Sequence, residues 1–183
     1  MLPGITSPAV TADFLASRFA GWGYRVSVPD IRGRGESERA GPGRAPYPTS
    51  KKSFLDQLRQ AQLGTTAEEV RRFYPNWPER ELRLRAEALA SCDETAVLET
   101  HDGFEREDFF ADWARLTAPV ALVRGERSPV VPPEGAAELS RARPDIDMVT
   151  VAAAGHMVPW DNLAGFLRAL ARYLPGRDTR RPA

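Results

Sequence analysis

The chain has 183 residues, enough for one domain with a real core and a small lid beside it. Its 25 basic and 25 acidic side chains cancel, so no basic stripe suits a nucleic acid and no basic amphipathic helix suits a membrane surface. There is no apolar run long enough to span a bilayer and no charged-then-apolar leader, and the one cysteine, Cys92, cannot form an intrachain disulfide. The expected setting is the reducing cytoplasm, with Cys92 a buried small residue. The only histidines, His101 and His156, stand apart from any Cys or His cluster, so no metal or other cofactor is expected.

Ser7-Pro8 opens a helix over 9–20 in which Val10, Phe14, Leu15 and Phe19 share a face, stopped by Gly21 and Gly23. Tyr24 to Val28 reads as a short strand, and Pro29 to Ser37 as a polar, Gly-rich turn. Within that turn, Arg32-Gly33-Arg34-Gly35 lacks the Lys and Ser/Thr that a phosphate loop needs. Pro46 to Ser50 is a linker. Lys52 to Leu63 is an amphipathic helix, with Phe54, Leu55, Leu58 and Ala61 roughly on one side and Gly64 at its end. Thr65-Thr66-Ala67-Glu68-Glu69 starts a short helix with a capping signal, and the stretch from Tyr74 to Pro78 breaks it. One long helix is expected from Glu79 to Val97, with Leu82, Ala86 and Leu89 inward and its charges on a solvated face. His101-Asp102 reads as a surface pair, because adjacent residues do not face each other in regular structure. Phe104, Phe109, Phe110 and Trp113 read as packing ahead of a strand at 120–124. A helix near 134–142 and a strand at 147–151 follow.

After that strand come three alanines and Gly155-His156-Met157-Val158-Pro159-Trp160-Asp161-Asn162. A last helix over 162–174 carries Leu163, Phe166, Leu167, Leu170 and Leu174 on one face, with Asp161 or Asn162 as its cap. His156 thus sits in a loop between a strand and a helix, where α/β proteins keep reactive groups. The residues alone leave two readings open: a reactive imidazole, or a structural histidine near Trp160.

Three stretches, in this order along the chain, resemble the α/β-hydrolase superfamily. Gly23 to Ser37 is similar to its early strand and Asp-x-Arg-Gly-x-Gly-x-Ser turn. Pro119 to Glu134 is similar to its penultimate strand, the loop that often carries the acid, and the following helix. The Gly155-His156 loop is similar to its catalytic-histidine loop. Residues 41–48 through Asp108-Phe109-Phe110 resemble the cap of one subgroup, the N-formylmaleamate deformylase-like hydrolases of nicotinate breakdown. The resemblance implies an α/β fold with a small parallel sheet (strands near 24–28, 120–124 and 147–151), flanking helices and a helical cap. The implied divisions are 1–40 and 118–183 for the two parts of the core and 41–117 for the cap. It implies His156 as general base, and the backbone N–H of Ile5, after Leu2-Pro3-Gly4, as an oxyanion-hole donor. A loose N-terminal turn is the other reading of those first residues.

The chain departs from the family between Ala40 and Gly41. A nucleophile elbow, Gly-x-Ser-x-Gly, should lie there, yet none of the nine serines has glycine at both −2 and +2. The commonest acid position falls on Ser128, with Glu126 two residues earlier, and in this subgroup the acid comes from the absent block. The expectation is therefore a small-molecule amide or ester hydrolase by lineage, impaired because nucleophile and acid are missing. The alternatives are a non-catalytic binding or interaction module on a hydrolase half-scaffold, or half of an assembly that self-associates through an exposed sheet edge. The expected partner is a small acidic amide. Arg32, Arg34 and Arg44 are candidates for its carboxylates, among twenty-three arginines that are mostly surface charge.

Overall fold

The computed structural model describes Met1, Ser7 and residues 9–30, 51–104 and 109–174. They fall in two compact units, one within Met1–Arg106 and the other within Glu107–Pro175.

In the first unit a 3-10 turn, Ala9–Ala12, leads into α1 (Asp13–Gly21). Ala12, Leu15 and Phe19 are buried at the spacing of one helical face. Gly23, at φ 84°, makes the left-handed turn that ends the helix. The strand expected at 24–28 is not formed. Burial still alternates there, with Tyr24, Val26, Val28 and Asp30 half-buried and Arg25, Ser27 and Pro29 exposed. A strand, however, exists only through ladder bonds to a neighbour, and the sheet of the described residues has two strands, neither of them here. Other bonds hold the run: the Met1 ammonium donates to the Ser27 carbonyl and Ala9 N–H donates to Asp30 Oδ1, each at 2.6 Å.

Four helices follow: α2 (Lys51–Gln62), α3 (Ala67–Arg71), α4 (Glu79–Ala90) and α5 (Glu94–Phe104). Leu58 and Ala61 of α2 meet Leu89, Cys92 and Val97 in one core cluster. Burial of side chains as enclosed as Leu58, Leu82 and Val97 stabilises by about 1.5–3 kcal/mol each. Thr66 caps α3 through a reciprocal capping box with Glu69. The single helix expected over 79–97 is two, because the segment Ser91–Asp93 offers the backbone side-chain partners. Ser91 Oγ donates to the Ala88 carbonyl at 2.7 Å, and Asp93 Oδ1 accepts from Ala96 N–H at 2.9 Å. Glu81 and Arg85 are buried rather than solvated, since α4 packs on α2, α3 and the 3-10 turn together. His101 is also buried, 3% exposed, and not a surface residue; one turn after Val97, it continues the inner face of α5.

The second unit holds α6 (Phe109–Arg115), β1 (Ala121–Gly125), α7 (Pro133–Ala142), β2 (Asp147–Val151), α8 (Val158–Asp161) and α9 (Leu163–Leu170). β1 and β2 pair in parallel, Ala121 opposite Asp147 through Gly125 opposite Val151. Alternation sends their side chains to two helix-covered faces. Val123, Val149 and Val151 pack with Ala154, Val158, Phe166 and Ala169. Leu122 and Met148 pack on the other side with Trp113, Leu139 and Ile146. Arg143 closes that side. It donates to the carbonyls of Trp113 and Leu116 at 3.2 and 2.7 Å, and its fork holds the Asp145 carboxyl down at about 2.

Candidate active site

The loops that leave the carboxyl ends of β1 and β2 are joined to each other. Glu126 N–H donates to the Val151 carbonyl at 3.0 Å and Arg127 N–H to the Ala154 carbonyl at 2.9 Å. The approach is so close that a Cβ on Gly125 would lie 1.9 Å from the Gly155 carbonyl oxygen and 2.5 Å from that of Ala154. Only glycine fits there.

Side chains then fix the second loop. Ala153 turns the chain at φ 56°, a left-handed conformation, and its N–H donates to Glu126 Oε2 at 2.9 Å. Ala154 is fully buried. Gly155 N–H donates to Asp161 Oδ2 at 2.8 Å, so the end of α8 reaches back to the residue before His156. Asn162 Nδ2 donates to the Ala152 carbonyl at 3.0 Å, while its Oδ1 accepts from Gly165 N–H at 2.9 Å and caps α9. Of the two caps the sequence offered, Asn162 is the one used. A Cβ on Gly165 would fall 2.7 Å from Val151 Cγ1, which shows how closely α9 seats on β2.

His156 stands out of this braced loop. The residue taken whole is exposed, yet surrounding protein atoms remove part of the ring's hydration. That desolvation holds its pKa below the ordinary 6.5, and the nearby Asp161 charge opposes it. At neutral pH the imidazole is thus uncharged and can accept a proton.

The two acid-position candidates have other duties. Glu126 receives Ala153 N–H, as described. Ser128 is buried, 5% exposed, and its Oγ accepts from Val131 N–H at 3.2 Å. Ile5, Arg32, Arg34, Arg44 and the Ala40–Gly41 junction lie outside the described residues. No local sequence signal marks the Gly125 approach or the Asp161–Gly155 bond, because each depends on residues brought together by the fold. Among the described residues, no three His, Cys, Asp or Glu side chains gather as a metal site, and no helix is long and apolar enough to cross a membrane.

A parallel strand pair, helices on both faces and a histidine loop at the carboxyl end of the last strand define a truncated α/β-hydrolase fold. Solved structures agree. An N-formylmaleamic acid deformylase from Pseudomonas putida, crystallised as a serine-to-alanine variant, superposes with a TM-score of 0.80 at 34% identity over 92% of this chain and 90% of that one. An E-2-(acetamidomethylene)succinate hydrolase superposes at 0.75 with 20% identity, over 94% of this chain and 89% of that one, a likeness of fold. The N-formylmaleamate deformylase of Pseudomonas putida is 29% identical over 234 aligned positions, covering 95% of this chain and 87% of that protein. Since this chain has 183 residues, at least 51 of those positions face no residue here. No protein-family model matches the chain. The chain belongs to the α/β-hydrolases and, within them, to the N-formylmaleamate deformylase-like family.

Proposed function

We propose that this chain comes from a lineage of small-molecule amide hydrolases, keeps their general base in His156, and lacks the nucleophile and acid needed for turnover of its own. One observation carries the reading. The histidine loop is built in full, while Glu126 and Ser128, the side chains nearest the usual acid position, are both committed to backbone N–H groups. The nine serines without an elbow, and the aligned positions with no counterpart here, support the same view.

The names of the two characterised relatives share an N-acyl group on a nitrogen whose carbon skeleton bears carboxylate: N-formylmaleamate and 2-(acetamidomethylene)succinate. The substrate class proposed for the lineage is therefore a small, acidic N-acyl amide. In the full reaction a base takes the proton of a nucleophilic hydroxyl as its oxygen attacks the acyl carbon. The base returns that proton to the leaving nitrogen, the C–N bond breaks, and water then releases the acyl group as an acid. His156, uncharged at neutral pH, suits the proton-carrying part and cannot replace the attacking oxygen.

A second reading, half of a complementing assembly, rests on the sheet. Among the described residues β1 and β2 pair only with each other, and a strand from another chain could join the outer edge of either.

Serine-directed phosphonate probes test the first reading. The purified chain is expected to form no covalent adduct, and labelling lost on mutating a single serine would overturn the reading. A family-derived block carrying elbow and acid strand, inserted between Ala40 and Gly41, is expected to create hydrolysis that His156→Ala then removes. Activity of the repaired chain that survives His156→Ala would make His156 structural.

A further inference from the structure

Val151 turns its carbonyl toward β1, where it accepts from Glu126 N–H at 3.0 Å. Backbone groups alternate from side to side along a strand, so Met148 and Thr150 point their N–H and C=O groups away from β1. Among the described residues no strand pairs with that outer edge. Helix α9 lies beside β2 and runs the opposite way. Asn162, before the helix, bonds the Ala152 carbonyl just past one end of β2, and Arg172, after the helix, pairs with Asp147 at the other end, at 3.5 Å. Between helix and strand lies a groove of about 290 Å³. Gly165 and Ala169 line it with little bulk, which leaves room for another backbone.

The charged residues lining this groove are Arg168 and Arg172, with no carboxylate among them. Asp147 stands near and offsets part of Arg172, while also accepting from the Tyr173 hydroxyl at 2.5 Å. Arg168 is exposed and, among the described residues, takes part in no ion pair or side-chain hydrogen bond. The groove is therefore positive. Its two arginines are four positions apart, which is ~6 Å along a helical axis. Alternate residues on one face of an extended strand are ~6.7 Å apart. A strand laid on the β2 edge, with acidic residues at every second position, would thus meet both.

We propose that the groove between β2 and α9 binds an extended acidic peptide segment, which adds to the sheet at Met148 and Thr150 and sets its carboxylates against Arg168 and Arg172. A second copy of this chain fits worse, because pairing β2 with β2 about a two-fold axis would bring the same arginines together. The proposal shares the open β2 edge with the complementing-assembly reading and needs nothing of His156. Sedimentation of the chain alone reads assembly and peptide titration reads this site, so either can fail alone.

Fluorescence anisotropy with the full chain tests it, using a labelled peptide of about eight alternating glutamate and threonine residues, an ordinary strand length. One saturable site is expected. The same peptide with lysine for glutamate should bind at least about tenfold more weakly, and so should one with an N-methylated backbone, since each loses one class of contact. Arg168→Gln, at an exposed position, should weaken the acidic peptide about threefold or more with an unchanged melting temperature. Thr150→Pro removes an outward N–H, a change that edge strands tolerate, and should weaken the peptide about tenfold or more. No saturable binding, a lysine or N-methylated peptide bound as tightly, or an unaltered affinity in Arg168→Gln or in folded Thr150→Pro would each overturn the proposal. Equally tight binding of a single-stranded DNA of similar length would overturn it by making the groove a general polyanion site. Self-association that Thr150→Pro abolishes, without peptide binding, would overturn it by giving the edge to a second copy.

Discussion

The loops after β1 and β2 are neighbours made from similar materials, yet they use their polar side chains differently. After β1, Glu126 and Ser128 each hold a backbone N–H, and neither stands apart from the scaffold. After β2, the bracing comes from elsewhere: Asp161 holds Gly155 N–H, Asn162 holds the Ala152 carbonyl, and Glu126 reaches across to Ala153. His156 is thereby positioned by its neighbours. A functional group can be presented with accuracy only when other residues do the holding. The contrast is between a loop whose side chains serve its own backbone and a loop whose histidine is held by residues around it.

The sharpest way to break this comparison is Gly125→Ala. The added methyl would overlap backbone oxygens on the facing loop, which cannot turn aside as a side chain could. A loss of about 3 kcal/mol or more is expected, at the top of the range for overpacking. Urea denaturation checks it, and a loss below about 1 kcal/mol would show that the two loops separate easily.

Asp161→Ala should cost less, about 1–3 kcal/mol, by leaving the half-buried Gly155 N–H without its acceptor. The same change removes the charge that lifts the His156 pKa, so the ring should titrate lower still in an NMR pH series. The sign of the stability effect follows. A histidine whose pKa is depressed on folding binds its proton better when unfolded. Stability should thus be fully present above the ordinary pKa of 6.5 and fall as pH drops from there toward the folded value, and Asp161→Ala should extend that fall to lower pH. An unmoved His156 titration would remove Asp161 from the ring's surroundings.

Glu126 gives a finer distinction. Glu126→Ala deletes the acceptor for Ala153 N–H and should cost about 1 kcal/mol, while Glu126→Gln keeps a carbonyl oxygen there and should recover most of that. If Gln were as damaging as Ala in thermal unfolding, the negative charge itself would matter, and Glu126 would return as a candidate acid.

Much of this architecture can be read directly from residues. Thr66 and Glu69 announce the α3 capping box, the apolar stripe through Phe166 announces α9, and the short apolar runs announce β1 and β2. Local chemistry decides such features. What the sequence reading missed was decided by tertiary surroundings. Asp93 could have been read as a cap, but the helical pattern of Leu82, Ala86 and Leu89 ran past it and hid the break. His101 reads in the sequence as one of an adjacent pair, whereas its spacing from Val97 is the informative one. Tyr24 to Val28 has the strand alternation without the ladder, because pairing is a property of a neighbour and not of the run itself. At the site, the Gly-His loop was legible as a motif. The need for Gly125 was not, since it depends on backbone 30 residues further along the chain.

Ala153→Gly should have the smallest effect, and its sign is the informative part. Ala153 holds φ 56°, where its Cβ crowds the following carbonyl at a cost of about 1–2 kcal/mol. Glycine removes that cost but widens the conformational freedom of the unfolded chain, which opposes folding by about 0.4–1 kcal/mol. The two effects partly cancel, leaving a net gain between about 0 and 1.6 kcal/mol. The N–H of residue 153 and its bond to Glu126 are kept in either case. A clear loss of stability would mean that the methyl group contributes packing that outweighs its strain. A small gain, visible as a slightly raised denaturation midpoint, would mean that the loop holds alanine in this conformation against its local preference, with the bonds from Glu126, Asp161 and Asn162 supplying the difference.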